Sequence, residues 1–376
     1  MFFRSLFLGF SLSSAALAAP APELSRTVTH RYADLVYETY RDTLKETQAL
    51  DRAIAVLLAQ PSDGTLQAAR LAWTAAHLKY SLTEAFRFYD GPIDGGEGVE
   101  GFVNSWPVDE SYIDYVAGAP QSGIINQTDK YTKIDADALQ GLHEVGGDTN
   151  VATGYHAIEF LLWGQDQSTT GPGARPVSDY LKLELPSVAR RHAYLRAASQ
   201  LLVKQMQIVV RAWDPQGTAN YSARFRREDP ASALTKIFKG ITYLMVDEVA
   251  GERMYTAYES QSQEDEQSCF SDNTAGDLVA DLQGVVNVFT GTYAGVDGPG
   301  LEDLLVPALS KRISSELKGA LSALDALPKP FDSLIVAPEG SEERKLFLEA
   351  IFSVQDAGNS LKDAAAKLEL KLPEKP

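Results

Sequence analysis

Three features of the sequence predict an all-α protein made of two helical-bundle domains. Apolar residues recur at three- and four-residue steps over most of the chain, which is the spacing of one face of a helix. Alternating β-branched runs of the kind strands need are scarce. Four to five helical stretches fall on each side of one breaker-rich segment, Gln167–Pro176 (QSTTGPGARP). That arrangement suits two four-helix-bundle-like halves, a duplicated bundle with a shared interface. The expected boundaries are a leader over 1–19, a first bundle over 20–166, a linker over 167–177 and a second bundle over 178–376.

The first helix is expected over Ser25–Leu58, where Val28, Leu35, Val36, Tyr40, Leu44, Leu50, Ile54 and Leu57 line one face before Pro61. The second runs over Thr65–Tyr89 on Leu66, Ala69, Leu71, Trp73, Leu78, Leu82, Ala85 and Phe86, and Gly91-Pro92 stops it. Gly91–Pro107 is too rich in glycine for a helix and too long for a routine connection, so it is functional or mobile. Short helices fit Asp109–Val116 and Asp135–Glu144. Asn150–Gln167 then reads as a buried helix opened by Asn150 or Thr153. Beyond the linker, helices are expected over Val177–Trp213, started or kinked by Pro186, and over Ala231–Gln263, Thr274–Tyr293, Gly300–Leu327 and Ser341–Leu370.

The N-terminus reads as an export signal. Arg4 precedes a short apolar run, Leu6–Leu17, and Ala16-Leu17-Ala18 is a small-residue cleavage pattern. Cleavage after Ala18 or Ala19 would place the mature chain in the periplasm or outside the cell. No cysteine follows the run, so this is not a lipoprotein signal. No later segment is long and apolar enough for a transmembrane anchor. Cys269 stands alone, which excludes an internal disulfide and a four-cysteine zinc site. With 34 Lys+Arg against 51 Asp+Glu, the formal charge is −17. Nucleic acid would be repelled and cations attracted.

The chemistry concentrates in NVATGYHAIEFLLWGQDQ, residues 150–167. His156 and Glu159 stand at i and i+3, so a helix would project them from one face. Ile158, Phe160, Leu161, Leu162 and Trp163 form an apolar wall around them. An imidazole beside a carboxylate suits zinc or iron as a ligand pair. The plainer alternative is a buried histidine satisfied by a neighbouring acid. Glu84 is the candidate third ligand, unless it merely pairs with Arg87 at i+3. Asp94, Glu97 and Glu100 offer oxygen to a hard cation but lack EF-hand spacing. His143-Glu144 begins like a zincin motif and then supplies no second histidine. The order His-x-x-Glu reverses the Glu-x-x-His of di-iron bundles, which favours a lone site. Glu264–Asp277 (EDEQSCFSDNTAGD) holds helix-start chemistry at Asp272 or Thr274. Its Ser268, Ser271 and Asp272 are candidates to support the site by hydrogen bonds from the second domain. Fingerprints for Gly-x-Ser-x-Gly hydrolases, Walker ATPases and dinucleotide binding are missing, and no catalytic residue is assigned.

Gly154-Tyr155-His156-Ala157-Ile158-Glu159 fits the GxHxxE signature of the imelysin family. Together with ARLAWTAAHLKYSLTEAFRFYDGPID, NSWPVDESYIDYV and GERMYTAYESQSQEDEQSCFSDNT, it makes the chain resemble the iron-regulated protein A branch of that family over nearly its whole mature length. The resemblance implies an exported all-helical protein of bacterial iron acquisition, with the signature near a domain interface. It also implies a metal ion, iron or zinc, or an iron-containing ligand, and a membrane partner in iron uptake. Gly154, His156 and Glu159 carry over directly, while Glu84, Trp106, Asp109 and the Ser268–Thr274 run fall in family-typical segments. Gln267 and Ala275 stand where this branch often carries histidine, in or beside SCFSDNT. Three functions remain in view: a metal-binding component of iron uptake, a zinc metallopeptidase using His156 and Glu159, and a non-catalytic partner-binding module.

Overall fold

The computed structural model describes residues 22–96 and 98–373; the expected leader over 1–19 and Glu97 lie outside the described residues. The fold is all-α. Among the described residues the only extended pairings are two isolated bridges, Val116 with Ala119 and Tyr293 with Val296. Eight long helices carry the architecture: α1 (Pro22–Ala59), α2 (Asp63–Ser81), α3 (Gly154–Trp163), α4 (Pro186–Trp213), α5 (Pro230–Tyr243), α6 (Thr274–Thr290), α7 (Pro307–Asp325) and α8 (Glu342–Lys367). Local chemistry sets their ends. Ser62 and Thr65 form a reciprocal capping box at α2, and Ser341 accepts the Arg344 N–H at α8. Pro186, Pro230 and Pro307 open α4, α5 and α7, where a missing N–H costs nothing.

Burial of apolar faces then groups the helices. α1 packs on α2 and α4, and α3 fills the space between α2 and α4. In the second group α8 packs on α7 and on α5 with its continuation, and α6 packs on α7. The groups meet where α2 crosses α6 and α1 crosses α5, and one apolar core runs through both. The sequence boundary at 167–177 therefore does not coincide with the packing, because α4 lies beyond it yet packs with the N-terminal helices. Tyr194, Leu195, Ala198, Leu202 and Met206 are buried there. At its start, Arg190 donates to the carbonyls of Ile124, Ile125 and Tyr131, and Arg191 clamps Asp114.

Two further departures matter for the site. α2 stops at Ser81 rather than Tyr89, because the Thr83 hydroxyl and N–H both turn back to the Tyr80 carbonyl and compete with the helical ladder. Glu84 thus lies in a short 3₁₀ turn, Glu84–Phe86. α5 continues without a break into a π-helical segment, Leu244–Tyr255, before a last α turn, Thr256–Ser260. No described helix is long and apolar enough to cross a membrane.

Candidate functional site

α3 places the motif in the interior, with all ten of its residues buried. Gly154 starts it at φ +90°, and a Cβ there would stand 2.5 Å from the Val103 carbonyl oxygen. Only glycine meets both demands. Two residues on, the His156 ring is turned so that Nδ1 lies 2.8 Å from Glu159 Oε2. The other carboxylate oxygen of Glu159 accepts the Ser271 N–H at 2.9 Å and the Ser271 hydroxyl at 2.6 Å. The two motif side chains do share a face, yet they face each other rather than a common third point. Glu159 is the orienting partner of the histidine, the role that carboxylates play behind metal-bound imidazoles. What remains open is His156 Nε2, buried and without a hydrogen-bond partner.

A second histidine stands against the first. His77 of α2 is fully buried, its ring centroid 5.1 Å from that of His156 at 74°. Trp73, one turn earlier, stacks on it at 4.7 Å and holds its own indole N–H on the Tyr155 carbonyl. Both ring nitrogens of His77 are engaged: Nδ1 with Asp277 of α6 at 2.9 Å, and Nε2 with the Asn104 side-chain oxygen at 3.0 Å. Asp277 also accepts the Ser268 hydroxyl at 2.6 Å and the Asn273 amide at 2.7 Å. Burial works against a charge on His77, but Asp277 outweighs it and raises the ring to about 9. His156 goes the other way: burial, then the adjacent His77 cation, hold it well below its ordinary value. Burial pushes Glu159 up to about 8 against the Ser271 hydrogen bonds. The centre thus pairs a charged histidine, spent on Asp277, with a neutral one whose outer nitrogen is free.

One carboxylate oxygen of Glu84 is committed elsewhere. Oε2 accepts Arg87 Nη1 at 2.7 Å and Arg253 Nη2, and Arg253 reaches on to Asp281 of α6 at 2.8 Å. Burial alone would raise this carboxyl, yet the two guanidiniums lower it to about 2. Burial drives Asp281 up to about 8, Arg253 notwithstanding. Both guanidiniums sit on Oε2, while Oε1 is buried without a hydrogen-bond partner, so the expected third ligand is the centre of a buried ion-pair chain with one oxygen left over. Its pairing with Arg87 is real but lies in the interior. Glu100 closes the chain on Arg87 at 3.2 Å, and Asp94 is spent on the N–H groups of Phe88 and Gly91. Asp109 caps the short helix Glu110–Ile113 through the Ser111 N–H, and Trp106 is half-buried. Neither makes a described hydrogen bond to His156, Glu159, His77 or Asp277. Ser268 and Ser271 reach the two halves of the centre from one segment, and Asp272 between them and α6 points to other acids.

Sequence reasoning passed over His77, Asn104, Arg253 and Asp277. The signal for His77 was present: Trp73, His77 and Ser81 recur at i, i+4, i+8 on the buried face of α2. Asp277 meets His77 across 200 residues and Arg253 meets Glu84 across 169, and no local pattern encodes those two pairings.

The comparisons agree with this architecture. The imelysin family model matches residues 36–361. Iron-regulated protein A of Synechococcus elongatus is 26% identical over 359 residues, which span 92% of this chain and 88% of that protein. The crystal structure of a protein from Parabacteroides distasonis, described as an iron-regulated protein A precursor, superposes with a TM-score of 0.72 at 16% identity, covering 93% of this chain and 97% of that one. An imelysin-like protein from Psychrobacter arcticum superposes with a TM-score of 0.65 at 13% identity, over 95% and 100% of the two chains. At such identities the structural likeness speaks for the fold, and the family match over most of the chain speaks for kinship: the chain belongs to the imelysin family.

Proposed function

We propose that the protein is an exported component of bacterial iron acquisition that binds a metal ion or an iron-containing ligand through His156. The observation that carries this reading is the unpartnered Nε2 of His156, buried in the interior while Nδ1 is held by Glu159 and Glu159 by Ser271. A buried polar atom without a partner is expensive, so a site built to keep one needs a reason. A neutral imidazole with its far nitrogen braced by a carboxylate is what a metal ligand requires. Imidazole suits iron and zinc, and one protein nitrogen leaves the other coordination positions to the bound chelate or to water. The acidic balance of the chain, −17, draws cations toward it. Export to the periplasm is read from residues 1–19, and delivery to a membrane partner from the kinship with iron-regulated proteins.

The zinc-peptidase alternative draws less support. Catalytic zinc takes three protein ligands and an open position, whereas Glu159 faces Nδ1 and Glu84 is engaged by Arg87 and Arg253. The test is metal analysis of the purified chain, with titration of iron and zinc into wild type and His156→Ala. Binding lost in the variant, with helical circular dichroism retained, is the expected result. Equal metal content in both would remove His156 from the site, and binding by neither would favour the partner-binding module.

A further inference from the structure

A second group of side chains is separate from the His156 centre and independent of that reading. Asp166 lies in the loop after α3, Asp272 in the turn before α6, and Asp332 in the short helix Asp332–Ile335 that precedes α8. Each offers a carboxylate oxygen, and these atoms lie within 4.8 Å of one another. Among the described residues no other set of three His, Cys, Asp or Glu side chains converges this closely.

Like charges this close repel, and nothing cationic answers them. No Lys, Arg or His within the described residues forms an ion pair with any of the three. Asp332 is fully buried, and neither of its carboxylate oxygens has a hydrogen-bond partner. Asp272 is likewise unpartnered at both oxygens, and Asp166 at one; its other oxygen accepts the Ser168 N–H at 2.9 Å. The independent observation is Glu266. It is 1% exposed, both its carboxylate oxygens lack a partner, and it faces Asp332 and Asp272. An interior carboxylate aimed at two of the three is not accounted for by surface acidity or by loop capping.

We propose that Asp166, Asp272 and Asp332, with Glu266 beside them, bind a hard divalent cation of the size of calcium. All-oxygen donors exclude a preference for soft metals. Calcium bonds oxygen at about 2.3–2.6 Å, so oxygens on opposite sides of it stand up to roughly 5 Å apart. The three oxygens lie close enough together for one such ion to bridge them. Magnesium, at about 2.0–2.1 Å, would need a tighter cage and keeps its water. The cation would tie three segments that are remote in sequence. One of them carries Ser271, the residue next to Asp272 and the brace of Glu159.

The experiment uses the purified chain, stripped with EGTA and titrated with CaCl2 by calorimetry, with melting followed in parallel. Wild type is expected to bind calcium and to gain on the order of 5 °C in Tm at saturating CaCl2. Asp332→Asn and Asp272→Asn are expected to lose at least about tenfold in calcium affinity, a lost carboxylate ligand being the direct cause. The exposed Asp297→Asn keeps the wild-type response. If Asp332→Asn fails to fold, as circular dichroism would show, the half-buried Asp272→Asn carries the test. No heat and no Tm change with millimolar CaCl2 would overturn the proposal, as would wild-type affinity in the Asp variants. An equal Tm gain from MgCl2 would overturn the assignment to a calcium-sized ion.

Discussion

Glu159→Gln isolates the chemistry of the His156 centre from its packing. Ser271 fixes how a glutamine would sit, because its N–H and hydroxyl both donate to Oε1 and so require an acceptor there. The amide nitrogen must then occupy the Oε2 position, 2.8 Å from His156 Nδ1, and it can only donate. Nδ1 becomes an acceptor, the ring proton moves to Nε2, and the lone pair that would bind a metal is gone. A carboxyl can release its proton and restore that lone pair; an amide cannot. Loss of such a bracing group lowers metal affinity by about 10–100-fold, or roughly 1.4–2.8 kcal/mol. Every hydrogen bond of the native pair persists in form, so the apo variant should melt close to wild type. The assay is titration of iron and zinc into both proteins after metal removal, with imidazole nitrogen shifts reporting the tautomer. Wild-type affinity in Glu159→Gln, with Nε2 shown to carry the proton, would refute the assignment of Nε2 as the donor.

Other substitutions probe the frame around it. Glu84→Gln should destabilise by about 3–5 kcal/mol in chemical denaturation, since Arg87 and Arg253 would lose a buried anion. The same carboxyl sets an acid limit: its folded value of about 2 lies below the ordinary 4.5, so its contribution is complete above pH 4.5 and is lost as pH falls through about 2. Stability measured across that window should fall more steeply for wild type than for Glu84→Gln. Gly154→Ala should destabilise by about 1–2 kcal/mol for the left-handed backbone, with more from the clash at the Val103 carbonyl, read as a lower Tm. Cys269→Ser should leave metal affinity unchanged, since no interaction at His156, Glu159, His77 or Asp277 uses the thiol; a tenfold loss would show that the sulfur takes part.

The helices were legible because periodicity is local. α1, α6 and α8 lie within a few residues of their expected spans, and Pro186 opens α4 as a proline at a first helical turn should, whereas α7 begins at Pro307 rather than at the expected Gly300. His156 and Glu159 were legible as neighbours for the same reason. Their relation was not. Whether two side chains on one helix face turn toward each other or toward a third point depends on what packs above them, here Ser271 from 112 residues away. The surroundings of Glu84 were not legible either: on a continuous α2 it would stand about 200° from both Leu82 and Phe86, on the opposite face, whereas the Thr83 turn delivers it to Arg253 in the interior. His77 was hidden in plain view, as one polar letter in an alanine-rich helix whose partners come from two other segments.

The π-helical stretch Leu244–Tyr255 ties residue count to charge placement. A π turn holds about one residue more than an α turn, and each residue rotates the chain by about 100° about a helix axis. Arg253 stands near the end of this stretch, aimed inward at Glu84 and Asp281, while Tyr258 beyond it meets Phe347 of α8. Removing one residue between Val246 and Ala250 would let the segment relax to α geometry and turn everything downstream by a quarter of a circle or more. The guanidinium would swing off its two carboxylates and the tyrosine off its aromatic neighbour in a single event, although no contacting side chain had changed. Within this helix a one-residue deletion is therefore more damaging than most substitutions, and lineages carrying the ion-pair chain should preserve its length more strictly than its composition.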